Sequence, residues 1–448
     1  MDFKGKKIVV IGMGKTGIAV AGFLGKQGAK VIVTDEKSAD KWSVEFEQIA
    51  KEKWLEIGEY NNVGVLEGAD MVVPSPGIPP DNKLLVEALK KNISIVSEIE
   101  LAYWFIKIPI IAVTGTNGKT TTTTLLGNIL QNSGKKVFVG GNIGNPLIEY
   151  AQADQRDDFM VAEISSFQLQ WIEKFRPFIA ILLNITCDHI NYHGSFDEYR
   201  RIKARIFANQ TKKDFAILNA ADKEQAEIAE SIKARTVKFS LKDILPEGIF
   251  LRDKNIVLRM PDMDEEKYPL SIINLPGSHN VENVMAAIMA ARFCGCSQDD
   301  IISAVSAFRG LPHRIEFAGE KNSVKFYDDS KGTNVGSVLR ALETFSDPVI
   351  LLLGGRDKDG DFETLRPLLK TKTKKVILFG EARERIASLI GDDLPILIKT
   401  KLREAIESAY KNAEPGEIVL LSPGCASFDE FANYKERGNY FKNVVRNL

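Results

Sequence analysis

Short apolar runs rich in Val and Ile alternate with longer helical patterns along nearly the whole chain. Lys7–Ile11 and Lys30–Thr34 read as strands, with a helix over residues 16–27 between them. Met71-Val72-Val73 reads as a third strand, stopped by Pro74-Ser75-Pro76-Gly77. This alternation leaves few folds open, because parallel strands need long crossovers and those crossovers are usually helices. A second set of strands covers 109–113, 159–162, 178–184 and 215–219, followed by a hairpin-like stretch around 249–260 and a helix over 280–294. A third set covers 348–353, 375–379, 396–399 and 418–421. The expectation is an α/β protein of three domains, at 1–98, 99–311 and 312–448. A length of 448 residues agrees with three domains of ordinary size.

Composition excludes several function classes. Lys plus Arg number 59 and Asp plus Glu 60, so the net charge of −1 leaves no footprint for nucleic acid or an anionic membrane. No apolar run approaches the length that spans a bilayer, and Gly12, Gly14 and Lys15 interrupt the short run near the start. Four cysteines in so long a chain do not make a disulfide framework. Cys294-Gly295-Cys296 has no second pair to complete a zinc site and reads as the buried end of a helix. A reducing cytoplasm is expected.

Two loops carry nucleotide signals. Gly12-Met13-Gly14-Lys15-Thr16-Gly17 follows a strand and opens a helix, and Asp35 ends the next strand, where a ribose-binding acid is expected. Glycines let backbone approach a pyrophosphate, and a helix N-terminus favours the anion. The competing reading is a tight turn that needs glycine for packing alone. The second loop, Gly115-Thr116-Asn117-Gly118-Lys119-Thr120, also joins a strand to a helix, over 121–130. It is shorter than the usual G-x-x-x-x-G-K-[ST] loop. Its N–H groups would cradle phosphates, Lys119 would reach the β and γ phosphates, and the Thr120 hydroxyl would face Mg²⁺. Two nucleotide sites suit an enzyme that spends ATP on a nucleotide-linked substrate. They do not suit a simple NAD-dependent oxidoreductase, which leaves the second loop unexplained. A nucleotide-gated binding protein without turnover is the other rival.

Other residues say less by themselves. Glu163 and His189 follow strands whose ends share an edge with the phosphate loop, where open α/β sheets bind ligands. Read alone, Lys203 is one of several exposed cations on a helix. Asn280 and Asn283 share a helix face, and Gly354-Gly355-Arg356-Asp357-Lys358 reads as a charged turn.

The compact phosphate loop resembles that of the Mur ligase superfamily, and later motifs extend the resemblance in order over essentially the whole chain. Pro74-Ser75-Pro76-Gly77-Ile78 is similar to the substrate loop of its D-glutamate-adding branch. Asp329-Ser330-Lys331-Gly332-Thr333-Asn334 and Ser422-Pro423-Gly424-Cys425-Ala426-Ser427-Phe428-Asp429 are similar to its C-terminal motifs. The resemblance implies a Rossmann-like N-terminal domain, a P-loop ATPase-type central domain and a Rossmann-like C-terminal domain. It implies an ATP-dependent amide ligase that works through an acyl phosphate, in peptidoglycan precursor synthesis. The implied substrates are UDP-N-acetylmuramoyl-L-alanine and D-glutamate, and the implied form is a cytoplasmic monomer.

The resemblance also assigns residues. Gly14, Lys15, Thr16, Asp35, Glu36, Ser75, Pro76, Gly77 and Asn142 would hold the UDP-linked substrate. Gly115, Thr116, Asn117, Gly118, Lys119, Thr120, Thr121, Asn280, Asn283, Arg314, Asp329 and Lys331 would hold ATP. Thr120, Glu163, His189 and a carbamylated Lys203 would hold two Mg²⁺ ions. Lys119, His189, Lys203 and Arg314 would serve catalysis. Thr333, Lys358, Ser427, Phe428 and Tyr434 would hold D-glutamate, with Tyr434 standing where the family usually has phenylalanine. A swing of the third domain would assemble the site.

Overall fold

The computed structural model of the protein describes residues 2–37, 42, 44–261, 263–391 and 394–448. By its contacts the chain divides into two compact units, Met1–Pro269 with Asn283–Val305, and Leu270–Glu282 with Ser306–Leu448. The first unit holds two sheets and the second holds one.

The first sheet is all parallel. Its strands are β1 (Lys7–Ile11), β2 (Lys30–Thr34), β3 (Leu55–Ile57), β4 (Met71–Pro74) and β5 (Ser94–Ile95), in the order β3-β2-β1-β4-β5. The order reverses between β1 and β4, so the loops after these two strands flank a crevice at the carboxyl edge. The uninterrupted apolar run of β1 has a simple cause. Ile8 and Val10 belong to one core and Val9 and Ile11 to another, so both faces are covered. The helix Lys15–Lys26 covers one face with Ile18, Val20, Ala21, Phe23 and Leu24.

The second sheet has nine strands: β6 (Ile110–Thr114), β7 (Val137–Gly141), β8 (Phe159–Glu163), β9 (Ile179–Leu182), β10 (Phe215–Asn219), β11 (Arg235–Ser240), β12 (Gly248–Arg252), β13 (Asn255–Met260) and β14 (Met263–Pro269). The order is β14-β13-β12-β11-β10-β9-β6-β8-β7, with antiparallel pairing only at β12-β13-β14. β6, which carries the phosphate loop, lies between β8 and β9. The residues that follow these three strands are therefore gathered on one edge.

The sheet of the second unit contains β15 (Glu316–Lys321), β16 (Val324–Asp328), β17 (Val349–Gly354), β18 (Thr373–Phe379), β19 (Ile396–Ile398) and β20 (Ile418–Gly424), in the order β15-β16-β20-β17-β18-β19. Val349, Leu351 and Leu353 face one core while Ile350 and Leu352 face the other. This again explains a continuous apolar strand.

The α/β class is as expected, and most predicted strands lie within one or two residues of their places. Composition hid β3, β5, β7, β11, β14, β15 and β16. β7 ends in two glycines, and β14 and β15 are edge strands with charged faces that bury few side chains. The helix Ser278–Phe293 stops one residue before Cys294, so the two cysteines lie just beyond it. Gly295 at φ +77° lets the Cys296 N–H donate back to Ala291, and both cysteines are buried. Among the described residues no helix is long and apolar enough to cross a membrane.

Candidate active site

The loop after β1 is shaped from within. Gly12 has φ +89°, its N–H donates to Thr34 O, and Ser75 Oγ donates to its carbonyl at 2.6 Å. A Cβ on Gly17 would lie 1.9 Å from Gly12 O, so Gly17 is required by packing. Gly14 is different: its φ is −73° and a Cβ there would meet nothing within 4 Å. No contact inside the protein requires glycine at this helix start, and the open space agrees with the ligand reading. The Asp35 carboxylate accepts from Met13 N at 2.6 Å and Lys37 N at 2.8 Å, so it also fixes the loop. Lys15 Nζ donates to Gly144 O and Asn145 Oδ1, both at 2.8 Å, and ties this loop to the one that carries Asn142. Thr16 is half-buried in the first turn of the helix, and Glu36 is exposed.

The phosphate loop is fastened by the segment after β9. Asn184 Oδ1 accepts from Asn117 N at 2.9 Å, and Asn184 Nδ2 donates to Asn117 O. Thr116 Oγ1 exchanges hydrogen bonds with the backbone of Thr186 and lies 3.1 Å from Tyr199 Oη. Gly118, at φ +87°, starts the helix Lys119–Asn132, which carries Thr120 and the buried Thr121. A Cβ at Gly118 would sit 2.2 Å from Asn283 Oδ1. Asn283 thus stands directly against the loop. Lys119 Nζ folds back onto Gly115 O and Thr116 O, both at 2.8 Å.

Lys203 corrects the reading of an exposed cation. Only 1% of it is accessible, its Nζ donates to Gly115 O at 2.9 Å, and it sits 4.6 Å over the Tyr199 ring. Burial, and then the charge of Lys119, hold its ammonium well below the ordinary range. Such an amine is available as a neutral nucleophile. Glu163 is buried at the end of β8. Its Oε1 accepts from Asn142 Nδ2 at 2.8 Å, while its buried Oε2 has no hydrogen-bond partner. An orphaned carboxylate oxygen beside a phosphate loop fits a hard cation. His189 has φ +55°, packs its ring 4.8 Å from Phe167 and lies 3.6 Å from Asp188 Oδ2.

In the second unit the loops after β16, β17 and β20 share the carboxyl edge of the sheet. Asp329 is buried and accepts from Ser422 Oγ at 2.8 Å, and burial raises its carboxyl to about 7 against the pull of Ser422 and Arg314. Arg314 is half-buried between His313 (φ +66°) and Ile315 (φ +48°), two non-glycine residues in the left-handed region. Lys331 Nζ stands 4.0 Å over the Tyr434 ring. Thr333 follows in the same loop, half-buried. Lys358 is exposed in a turn organised by Asp357, whose Oδ1 accepts from Lys358 N and Gly360 N. Arg356 bridges to Ala426, which brings that turn beside buried Ser427 and exposed Phe428. Asn280 is nearly buried and donates to Pro276 O.

Three family descriptions match the chain in order: Mur ligase MurD-like N-terminal domain over residues 6–97, Mur ligase middle domain over 113–291, and Mur ligase glutamate ligase domain over 313–425. The UDP-N-acetylmuramoylalanine–D-glutamate ligase of Syntrophus aciditrophicus is 54% identical over 448 residues, covering 100% of this chain and 99% of that one. The enzyme of the same name from Geotalea uraniireducens is 45% identical over 449 residues, with the same coverage of each chain. The chain belongs to the Mur ligase family. It is an ATP-dependent ligase of that family, as the motifs implied. The fold agrees: a Thermotoga maritima MurF ligase structure in complex with ADP has a TM-score of 0.62 at 17% identity, covering 99% of this chain and 96% of that one. A pseudomurein peptide ligase type C from Methanothermus fervidus has a TM-score of 0.61 at 21% identity, covering 99% and 100%.

Sequence reasoning missed several residues of this Mur ligase. Phe167, Gln168, Trp171 and Tyr192 line a cavity with Ser75, Pro76 and Glu98 in the first unit. Arg437, 1% exposed, donates to Ser330 O and Cys425 O at 2.9 Å and so staples two of the C-terminal loops. His313, Glu316 and Asp328 are the one metal-type cluster found among the described residues, and no ligand expectation had placed one there. Glu316 is already paired with Lys442 Nζ at 2.9 Å, so the cluster reads as an ion-pair knot. Nothing local marked Arg437: it stands between Glu436 and Gly438, and an arginine on a C-terminal helix is usually solvated.

Proposed function

We propose that the protein joins D-glutamate to UDP-N-acetylmuramoyl-L-alanine through an acyl phosphate, acting as a cytoplasmic monomer in peptidoglycan precursor synthesis. One observation carries the chemistry: buried Lys203, the phosphate loop and the orphaned Glu163 oxygen lie on one sheet edge. The substrate assignment rests on the names of the full-length relatives at 54% and 45% identity.

In this reading residues 1–98 hold the UDP part through Gly14, Lys15, Thr16, Asp35, Glu36 and Ser75-Pro76-Gly77, with Asn142 from the neighbouring loop. Residues 99–311 hold ATP on Gly115-Thr116-Asn117-Gly118-Lys119-Thr120-Thr121, with Asn280 and Asn283 for the adenine. Residues 312–448 supply Arg314, Asp329 and Lys331 for the nucleotide, and Thr333, Lys358, Ser427, Phe428 and Tyr434 for the amino acid. Thr120, Glu163, His189 and Lys203 would hold two Mg²⁺ ions, which neutralise charge on the phosphates. The neutral Lys203 amine attacks CO₂, a C–N bond forms as one C=O pair moves onto oxygen, and a proton leaves, so a buried neutral amine becomes a carbamate anion with two ligand oxygens. The L-alanyl carboxylate attacks the γ-phosphorus and the bond to ADP breaks, with Lys119 and Arg314 steadying the charge. The D-glutamate amine then attacks the acyl carbon, the C–O bond to phosphate breaks, and the amine proton is released; His189 orients the amine.

The test is phosphate release with ATP, Mg²⁺, bicarbonate and UDP-N-acetylmuramoyl-L-alanine, scanning amino acids and weighing the product. Release with D-glutamate alone is expected. Release with another amino acid would overturn the amino-acid pocket. ATP binding without turnover of any amino acid would overturn ligation.

A further inference from the structure

One hydrogen bond joins the substrate loop to the part of the site that faces ATP. Tyr192 Oη donates to Ile78 O at 2.9 Å, across 114 residues of chain. Ile78 and Ser75 pack on the loop after β1: a Cβ at Gly12 would meet Ser75 Cβ at 2.9 Å and Ile78 Cδ1 at 3.2 Å. At its other end, Tyr192 belongs to an aromatic cluster. Its ring lies 4.4 Å from Phe167 and 4.7 Å from His193, and Phe167 packs edge-on against His189 at 4.8 Å. His193 is held by Ser166 Oγ at 3.0 Å and continues to Tyr199, which reaches Thr116 of the phosphate loop.

The turn that carries these residues is short, and His189 at its start also meets Asp188 through its N–H at 3.0 Å. The helix Ile190–His193 has four residues, opened by His189 at φ +55° and closed by Gly194 at φ +79°. Asn191 is exposed. So short a helix has almost no intrinsic stability. The Tyr192 and His193 side chains against Phe167 and Ser166 therefore help to set its register, and with it that of His189 at its start.

We propose that Tyr192 is a positioning residue whose hydroxyl ties the substrate loop to the aromatic cluster that seats His189, so that seating a nucleotide-linked sugar and setting the His189 register depend on each other. This rests on the proposed function of the same site. Because such coupling is reciprocal, loosening the tether weakens both ends. A residue that only glued the fold together would shift every substrate equally and lower the melting temperature.

The experiment compares wild type, Tyr192→Phe and Tyr192→Leu. It measures UDP-N-acetylmuramoyl-L-alanine affinity by calorimetry, the KM of each substrate, the Mg²⁺ concentration for half-maximal rate, and Tm. Tyr192→Phe keeps the ring and loses one hydrogen bond. It should weaken sugar-nucleotide binding by about 2- to 12-fold and raise the Mg²⁺ requirement in the same direction, with a smaller change in the KM for D-glutamate. Tyr192→Leu also loses the ring contact with Phe167, and its Mg²⁺ requirement should rise further. A Tyr192→Phe protein matching an active wild type in sugar-nucleotide affinity and Mg²⁺ requirement overturns the tether alone. So does a uniform shift of all KM values together with Tm. A wild type that binds ATP but not the sugar nucleotide overturns the proposed function and the tether with it.

Discussion

Lys203 and Glu98 are both buried ionisable residues, and burial pushes each toward its neutral form with different consequences. For Lys203 the neutral amine is the form that can take up CO₂. Lys203→Ala should lower kcat about 100-fold or more, in line with losing a charge-stabilising group from a closed site, and should abolish any bicarbonate dependence of the rate. A variant within a few-fold of wild type would remove Lys203 from the mechanism. For Glu98 the role is structural. Its Oε1 accepts from Ile148 N at 2.7 Å, its Oε2 is buried without a partner, and burial raises its pKa from 4.5 to about 7. A carboxyl with a raised pKa favours the fold while protonated. That contribution is complete below pH 4.5 and is lost as pH rises through about 7. Glu98→Gln keeps an acceptor and removes the titration. Relative to wild type its stability should therefore rise between these pH values, by about 3 kcal/mol at most. Denaturant titrations across the range give the sign directly, and parallel curves would show that Glu98 does not titrate there.

At the scale of elements, strand ends do most of the positioning. Parallel strands put their carboxyl ends on one edge, so residues from β6, β8 and β9 meet although they lie tens of positions apart. The junction of β6 with its helix depends on Gly118, which combines φ +87° with a close approach to Asn283. Gly118→Ala pays twice, in backbone strain and in displacement of Asn283. It should cost more than about 1 kcal/mol of stability and weaken nucleotide binding measured with ADP and Mg²⁺. Unchanged ADP affinity would mean that the loop tolerates a different start. The same helix was legible from its Gly-Lys-Thr opening. β7 was not, because two glycines end it.

For the whole molecule, the division into two units, each with its own buried cores, predicts that ligands protect selectively. A ligand at a hundredfold excess over its Kd stabilises what binds it by about 2.7 kcal/mol. UDP-N-acetylmuramoyl-L-alanine should slow amide exchange in residues 7–95 and in the 141–145 and 189–193 loops, leaving β17 to β19 unaffected. Protection confined to the second unit would contradict the assignment of the sugar-nucleotide site.

The amino-acid sequence alone determined the α/β class, the two glycine-rich strand–helix loops and the order of the motifs, because these depend on local periodicity and on glycines at turns. Tertiary structure alone decided that Lys203 is buried, that Glu163 keeps an unsatisfied oxygen, that Asp35 supports its own loop, and that Tyr192 reaches Ile78. Burial and partnership depend on which distant segments pack together, and local spacing carries no record of that.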